Sequence, residues 1–436
     1  MTEITHRRIL KISAPIVLSN ATVPLLGAVD TAVVGQLGDA TSLGAVGIGA
    51  VILATLYWAF GFLRMSTSGL AAQALGARDR TECSAVLIRA LIVSGIAGLG
   101  LVALQTLLFA GAFALAPASP AVENVAQEYL SIRIWGAPAT IALYALTGWL
   151  VGLERTRGVL VLQLAQNALN IVLSLWFGLG LGWGVTGVAV ATLIAEWLGV
   201  VLALWLARDV LGLGLRPALA RLGDRLAIAR MFHASRDIMA RTILLQLAFT
   251  AFVFLGARYG DVTLAANQVL LQFLEVTAYA LDGFAISAET LIGQAVGARS
   301  LADTRAAGRI CMQWGVGGGV ALAVIFGLSG PWLIDLLTTA SEVREAARDY
   351  LPWLVAAPLI GAAAWIYDGI FIGALLTRDM LRAMVFSMLV YALALVILLP
   401  LTGNHGLWAA LMVLNGTRTF TLWRLYPKVL ALASRG

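Results

Sequence analysis

The chain has 436 residues, of which 60% are hydrophobic and only 12% charged, a balance that leaves too little polar surface for a soluble globular protein of this size. Its net charge of +6 is spread along the chain rather than gathered with aromatic residues into one patch, which excludes a nucleic-acid interface. Two cysteines, Cys83 and Cys311, and three scattered histidines exclude a disulfide framework and a metal cage.

Apolar stretches of the roughly 20 residues that a helix needs to cross a bilayer recur from end to end, and about twelve are expected. They fall near 9–36, 44–72, 86–116, 122–153, 158–180 and 184–207, then near 229–257, 263–294, 306–338, 345–375, 380–401 and 405–426. The basic start, with Arg7, Arg8 and Lys11, leads into an apolar run without a small-x-small cleavage site, so it reads as an uncleaved first helix. Between the sixth and seventh spans lies the longest charged joint, 208–228, holding Arg208, Arg216, Arg221 and Arg225. The domains expected are therefore 1–207, a six-helix bundle; 208–228, a cytoplasmic linker; and 229–436, a second six-helix bundle. Arginines and lysines gather at the termini and at every second joint, as in Arg78, Arg80, Arg155, Arg157, Arg299, Arg305, Arg378 and Arg382. Since cytoplasmic loops carry that excess, both termini are expected in the cytoplasm.

The chain repeats itself. QALGAR at 73–78 returns as QAVGAR at 294–299, and Gly148, Gly152, Thr156 and Arg157 return as Gly369, Gly373, Thr377 and Arg378, an offset of about 221 residues. Six spans per repeat is an even number, so both halves insert in the same orientation, related by a pseudo-two-fold axis along the membrane normal. Glycines four apart let helices approach closely, and Gly-Ala-Arg supplies a helix stop with a positive anchor.

Residues with chemistry depart from the repeat. Asp30 lies within the first apolar span, and the equivalent position in the second half is apolar. An ionisable group inside a membrane is a functional-site hypothesis by default, and because burial disfavours a carboxylate's charged form, its protonation state can serve as a switch. The structural alternative is a carboxylate held permanently by Arg64. Pro15 and Pro24 weaken the backbone ladder of the same span and are candidate hinges. In span five Asn167, Asn170 and Ser174 share one helical face, and in span six Thr192 and Glu196 lie one turn apart. Glu275, Asp282 and Glu289 recur at intervals of seven in span eight, and Asp368 stands in span ten. Asn167, Glu196, Glu275, Asp282 and Asp368 are accordingly candidates for a wetted substrate cavity.

The stretches VDTAVVGQLG (29–38), QALGARDR (73–80), NALNIVLSLWFGLGLGWGVTGVAVATLIAEW (167–197), YALDGFAISAETLIGQAVGAR (279–299) and YDGIFIGALLTR (367–378) resemble the multidrug and toxic compound extrusion (MATE) transporters, in particular their DinF-like branch. The resemblance covers essentially the whole chain. It implies an all-α integral membrane protein of twelve transmembrane helices in two six-helix bundles around a central cavity, exporting amphiphilic, often cationic compounds by alternating access. It also implies a coupling role for Asp30, with Asn170, Ser174 and Thr192 at the positions of a cation site described in related proteins. Ser174 stands where that site has a second acid, which removes a charge from a sodium cage, whereas a proton needs only Asp30. Protons are therefore the expected coupling ion, with sodium at Asp30, Asn170 and Thr192 as the alternative. Asp368 matches an acid of the second bundle that other branches pair with a seventh-span glutamate; this chain has none there, and Gln246 is the nearest polar residue. No cofactor or resident metal is expected, the partners are small amphiphiles and membrane lipids, and the protein is expected as a monomer in the bacterial cytoplasmic membrane. A flippase for lipid-linked precursors is a second reading and would need arginines such as Arg64, Arg133 and Arg418 facing a cavity. An enzyme is not expected, for no nucleophile and base stand at a workable helical spacing.

Overall fold

A computed structural model describes residues 3–36, 38–115 and 117–434; the side chains of 23–30 and 210–215 lie outside the described residues. Every regular element among them is helical. In chain order they are α1 (His6–Gly35), α2 (Ala40–Trp58), α3 (Phe62–Gly76), α4 (Arg80–Ala103), α5 (Gln105–Leu115), α6 (Pro120–Arg133), α7 (Ala137–Gly152), α8 (Thr156–Ser174), α9 (Gly184–Ala220), α10 (Arg225–Gly256), α11 (Asp261–Gly297), α12 (Leu301–Leu337), α13 (Ser341–Gly373), α14 (Thr377–Thr402) and α15 (Asn404–Ala433). Ten helical stretches among the described residues are long and apolar enough to cross a bilayer, with α2 and α3, α6 and α7, and α8 and its terminal turn each counted as one. Helices α1 and α15, of 30 residues each, complete the twelve, six in each half. Helix α9 runs on through Pro217 to Ala220, so much of the joint 208–228 is itself helical, as its leucines and arginines favour.

Local chemistry explains the helix ends. Asp39 caps α2 by accepting from the backbone N–H groups of Thr41 and Ser42, Asp79 caps α4, and Ser300 caps α12 at the position one repeat beyond Asp79. The residue before each of the last two caps is left-handed: Arg78 at φ 59° and Arg299 at φ 54°. The stop expected of Gly-Ala-Arg is thus made at its arginine in both repeats. A six-to-one bond from Ser300 N to Ala295 O, at 2.9 Å, closes α11 in the manner of a Schellman end.

The chain forms two compact units. The first comprises Leu18–Leu75 and Asp79–Met231; the second comprises Met1–Val17, Gly76–Arg78 and Phe232–Gly436, so α1 contributes to both. Within the first unit α4 packs on α7, α2 on α6 and α8 on α9; within the second, α13 packs on α11 and α12, and α14 on α15. The repeated glycines do the same job in each. A Cβ on Gly148 or Gly152 of α7 would strike the backbone carbonyls of Arg64 and Ser68 on α3, and one on Gly369 or Gly373 of α13 would strike those of Ala285 and Glu289 on α11. Both helix pairs therefore meet backbone to backbone. Apolar packing fills the rest, as where Phe252 meets Trp408 edge-on with centroids 4.9 Å apart.

Candidate functional site

In the first unit, α8 lies along the second half of α1. Asn167 Nδ2 reaches the Thr22 backbone carbonyl at 3.4 Å, and a Cβ on Gly178 would meet the Val33 side chain. Both contacts join residues separated by 145 in the chain, so the two helices run in parallel register and the Asp30 backbone is level with Ser174 and Leu175. The side chains of Asp30 and Pro24 lie outside the described residues. At that level α8 changes pitch: Leu175–Gly180 forms a π-helical turn, a local widening often found at functional sites.

The face expected of α8 is present. Asn170 Nδ2 donates to Thr192 Oγ1 at 2.8 Å, and Thr192 Oγ1 in turn donates to the Val188 carbonyl at 3.0 Å. Asn170 Oδ1 and Ser174 Oγ are buried with no hydrogen-bond partner among the described residues. Two unmet oxygens on one face of a membrane helix are costly unless something occupies them. Asn167 is differently engaged, since it holds α1 through Thr22 and accepts from Gln163 Nε2 at 3.1 Å. Arg64 on α3 also buries Nη1 without a partner among the described residues.

Glu196 does not stand open in a cavity. Both its oxygens accept from Arg133, Nη1 at 2.8 Å and Nη2 at 2.9 Å, and each side chain is 9% exposed. Arg133 ends α6 where the chain tightens into the 3₁₀ turn Ile134–Gly136. Gly136 makes room for the pair, because a Cβ there would strike the carboxylate.

In the second unit the three acids of α11 grade from exposed Glu275 through half-buried Asp282 to buried Glu289. Asp368 on α13 is buried and bound by two arginines: Arg241 of α10 and Arg418 of α15 each donate through Nη2 to its Oδ2, the latter at 2.5 Å. Arg418 Nη1 also donates to Asn415 Oδ1 at 3.1 Å. The partner that α10 offers Asp368 is thus the cation Arg241, and Gln246 is not bonded to it. Sequence spacing does not mark Arg241, because its partner is 127 residues away. The usable signal was that a buried arginine in an apolar span needs an acid.

Twelve long helices in two units that repeat one packing pattern, with ionisable groups buried among them, define a polytopic membrane transporter. The chain belongs to the MatE family, the multidrug and toxic compound extrusion transporters, which it matches over residues 15–176 and 238–398. The two matched segments lie one repeat apart. The chain is 40% identical over 423 residues to DNA damage-inducible protein F of Escherichia coli K12, covering 95% of this chain and 91% of that protein. It is 27% identical to the probable multidrug resistance protein NorM of Rhizobium meliloti, over 89% of this chain and 84% of that one. A crystal structure of a MATE protein in a bent conformation superposes with a TM-score of 0.86 at 19% identity, over 98% of this chain and 96% of that one. These likenesses agree with the DinF-like resemblance of the sequence and with a transporter rather than an enzyme.

Proposed function

We propose that the protein exports amphiphilic, often cationic compounds in exchange for protons by alternating access, in the bacterial cytoplasmic membrane with both termini in the cytoplasm. The observation that carries this reading is the buried group Asn170, Ser174 and Thr192, which holds two unpartnered oxygens and no acid. Asp30, whose backbone is level with that group on α1, is the acid this reading assigns to coupling. Protonation from outside and deprotonation on the cytoplasmic side would each bind one opening better and shift the balance between them. A sodium-coupled antiporter is the second reading, favoured by those same neutral oxygens, which can ligate a hard cation.

Transport in proteoliposomes with proton and sodium gradients imposed separately decides between them. Export of a cationic dye should follow the proton gradient alone and vanish in Asp30→Asn. Equal rates under a sodium gradient at uniform pH, or wild-type export by Asp30→Asn, would overturn proton coupling.

A further inference from the structure

We propose that the two copies of the Gly-Ala-Arg repeat form one binding site for an anionic phospholipid headgroup, in which Arg78 and Arg299 take the phosphodiester and Asp303 accepts from the hydroxyls of a glycerol headgroup. The site belongs to no step of the exchange proposed above and needs only that the helices cross a bilayer.

The apolar spans Ala40–Gly76 and Asp261–Gly297 both end on the glycine of the repeat, so the residues that follow lie at headgroup depth. Gly76 brings the two ends together, because a Cβ there would strike the backbone carbonyl of Gln294. The Gln294 side chain in turn accepts from Arg8 Nη2 at 3.0 Å. Beside this contact opens a cavity of about 560 Å³, lined by Gly76–Arg78, by 297–299, and by Ser300 and Asp303. All of these residues lie in the second compact unit. One water takes up roughly 30 Å³, so a headgroup fits with room for solvent.

Backbone geometry singles out the arginines. Among the described residues four other than glycine have positive φ, and they form two repeat pairs, Arg78 with Arg299 and Glu154 with Leu375. A left-handed residue closes both kinds of helix end, yet the second pair is an acid and a leucine. The stop itself therefore does not call for arginine. Nor does orientation, since Arg80 and Arg305 already make these joints basic. Both repeat arginines are exposed, and among the described residues neither guanidinium has an ion pair or a hydrogen bond, unlike Arg221 and Arg348, which each hold an aspartate.

The charge of the lining selects the headgroup. Arg78 and Arg299 against Asp303 leave one positive charge, which a phosphodiester neutralises. Asp79, beside Arg78, is held by Arg221 at 2.6 Å, and Glu289 lies eight residues, about 12 Å of helix, before Gly297. The backbone N–H of Asp303 already donates to Ser300 Oγ at 3.2 Å, so the guanidinium forks are the donors a phosphate meets. The Asp303 carboxylate has no ion pair among the described residues, and a glycerol headgroup offers it hydroxyl donors that a choline headgroup lacks. Basic pockets where spans meet the cytoplasmic leaflet are suited to lipid headgroups.

The test is native mass spectrometry of the full chain in a non-ionic detergent, titrated with dioleoyl phosphatidylglycerol, phosphatidylmethanol and phosphatidylcholine. The wild type should hold phosphatidylglycerol about tenfold tighter than phosphatidylcholine. It should also hold it about threefold tighter than phosphatidylmethanol, which has the charge without the hydroxyls. Arg78→Gln combined with Arg299→Gln should bring phosphatidylglycerol down to the affinity of phosphatidylcholine and leave the latter unchanged, which reports an intact fold. Asp303→Ala should erase the preference over phosphatidylmethanol and keep the preference for charge. Equal binding of the three lipids by the wild type, a charge preference that survives loss of both arginines, or a hydroxyl preference that survives Asp303→Ala would overturn the site as assigned. Displacement of the lipid by an equal concentration of glycerol 1-phosphate would overturn the lipid and make a soluble phosphate ester the ligand. No gradient or transported dye enters these measurements, so they are independent of the outcome for proton coupling.

Discussion

Arg133 with Glu196 in the first unit, and Arg241 and Arg418 with Asp368 in the second, are both ionic sites buried in apolar bundles, yet they close differently. The first is a one-to-one fork, two bonds of 2.8 and 2.9 Å that satisfy both carboxylate oxygens. In the second, one oxygen is shared by two cations and the charge does not cancel. A matched pair ties α6 to α9 and does little else. The second leaves one of its two positive charges unmatched by a bonded acid.

The largest expected effect breaks the matched pair. Glu196→Ala leaves Arg133 buried and alone and should cost about 3–5 kcal/mol, seen as a fall in unfolding temperature in detergent. Adding Arg133→Met should recover most of it; a double variant as unstable as the single one would show that the pair is not what matters. Next in size is the opposite sign in the second unit. Arg241→Met removes the surplus charge and leaves Arg418 with Asp368, so stability should hold or rise by about 1 kcal/mol. A loss like that of Glu196→Ala would mean that both sites are simple struts.

Ser174→Asp asks whether the first unit's polar face can be turned toward metal cations. It restores a second carboxylate level with Asp30, and dye export driven by a sodium gradient should appear where the wild type shows little. The smallest effect sets the scale for exposed pairs. Asp79 meets Arg221 at 2.6 Å with side chains 37% and 44% exposed. Partial desolvation would raise its pKa, but the hydrogen bond from Arg221 and the backbone N–H of Glu82 outweigh it and hold the carboxyl below its ordinary value. This contribution is present at neutral pH and lost only as the pH falls through that lowered value. Asp79→Asn keeps the cap of α4 and should cost less than about 1 kcal/mol at pH 7, with unfolding temperature flat between about pH 6 and 8.

Much of the scaffold was legible because it is periodic. Glycines four apart, the 221-residue duplication and the apolar run lengths are local patterns, and each reappears as a helix contact or a helix end. The face of Asn167, Asn170 and Ser174 was legible for the same reason, since three- and four-residue spacing fixes a stripe. Which groups pair across helices was not. Arg133 and Glu196 are 63 residues apart, and Asp368 is 127 and 50 residues from its arginines, so no periodicity links them. Glu196 looked free because Thr192 beside it is polar, while its partner stood on another helix.

The glycine seams carry one more consequence. Where α7 lies on α3 and α13 on α11, no layer of side chains separates the backbones, so there are no rotamers to reshuffle and no slack to take up. Gly98 joins α4 to α7 and Gly319 joins α12 to α13 in the same way, so each half of the chain holds a stiff group of helices that any rearrangement has to flow around. Helix α1 stands apart in another way: its first turns, whose Ser13 carbonyl lies close to Gly283 of α11, belong to one compact unit and its remainder belongs to the other.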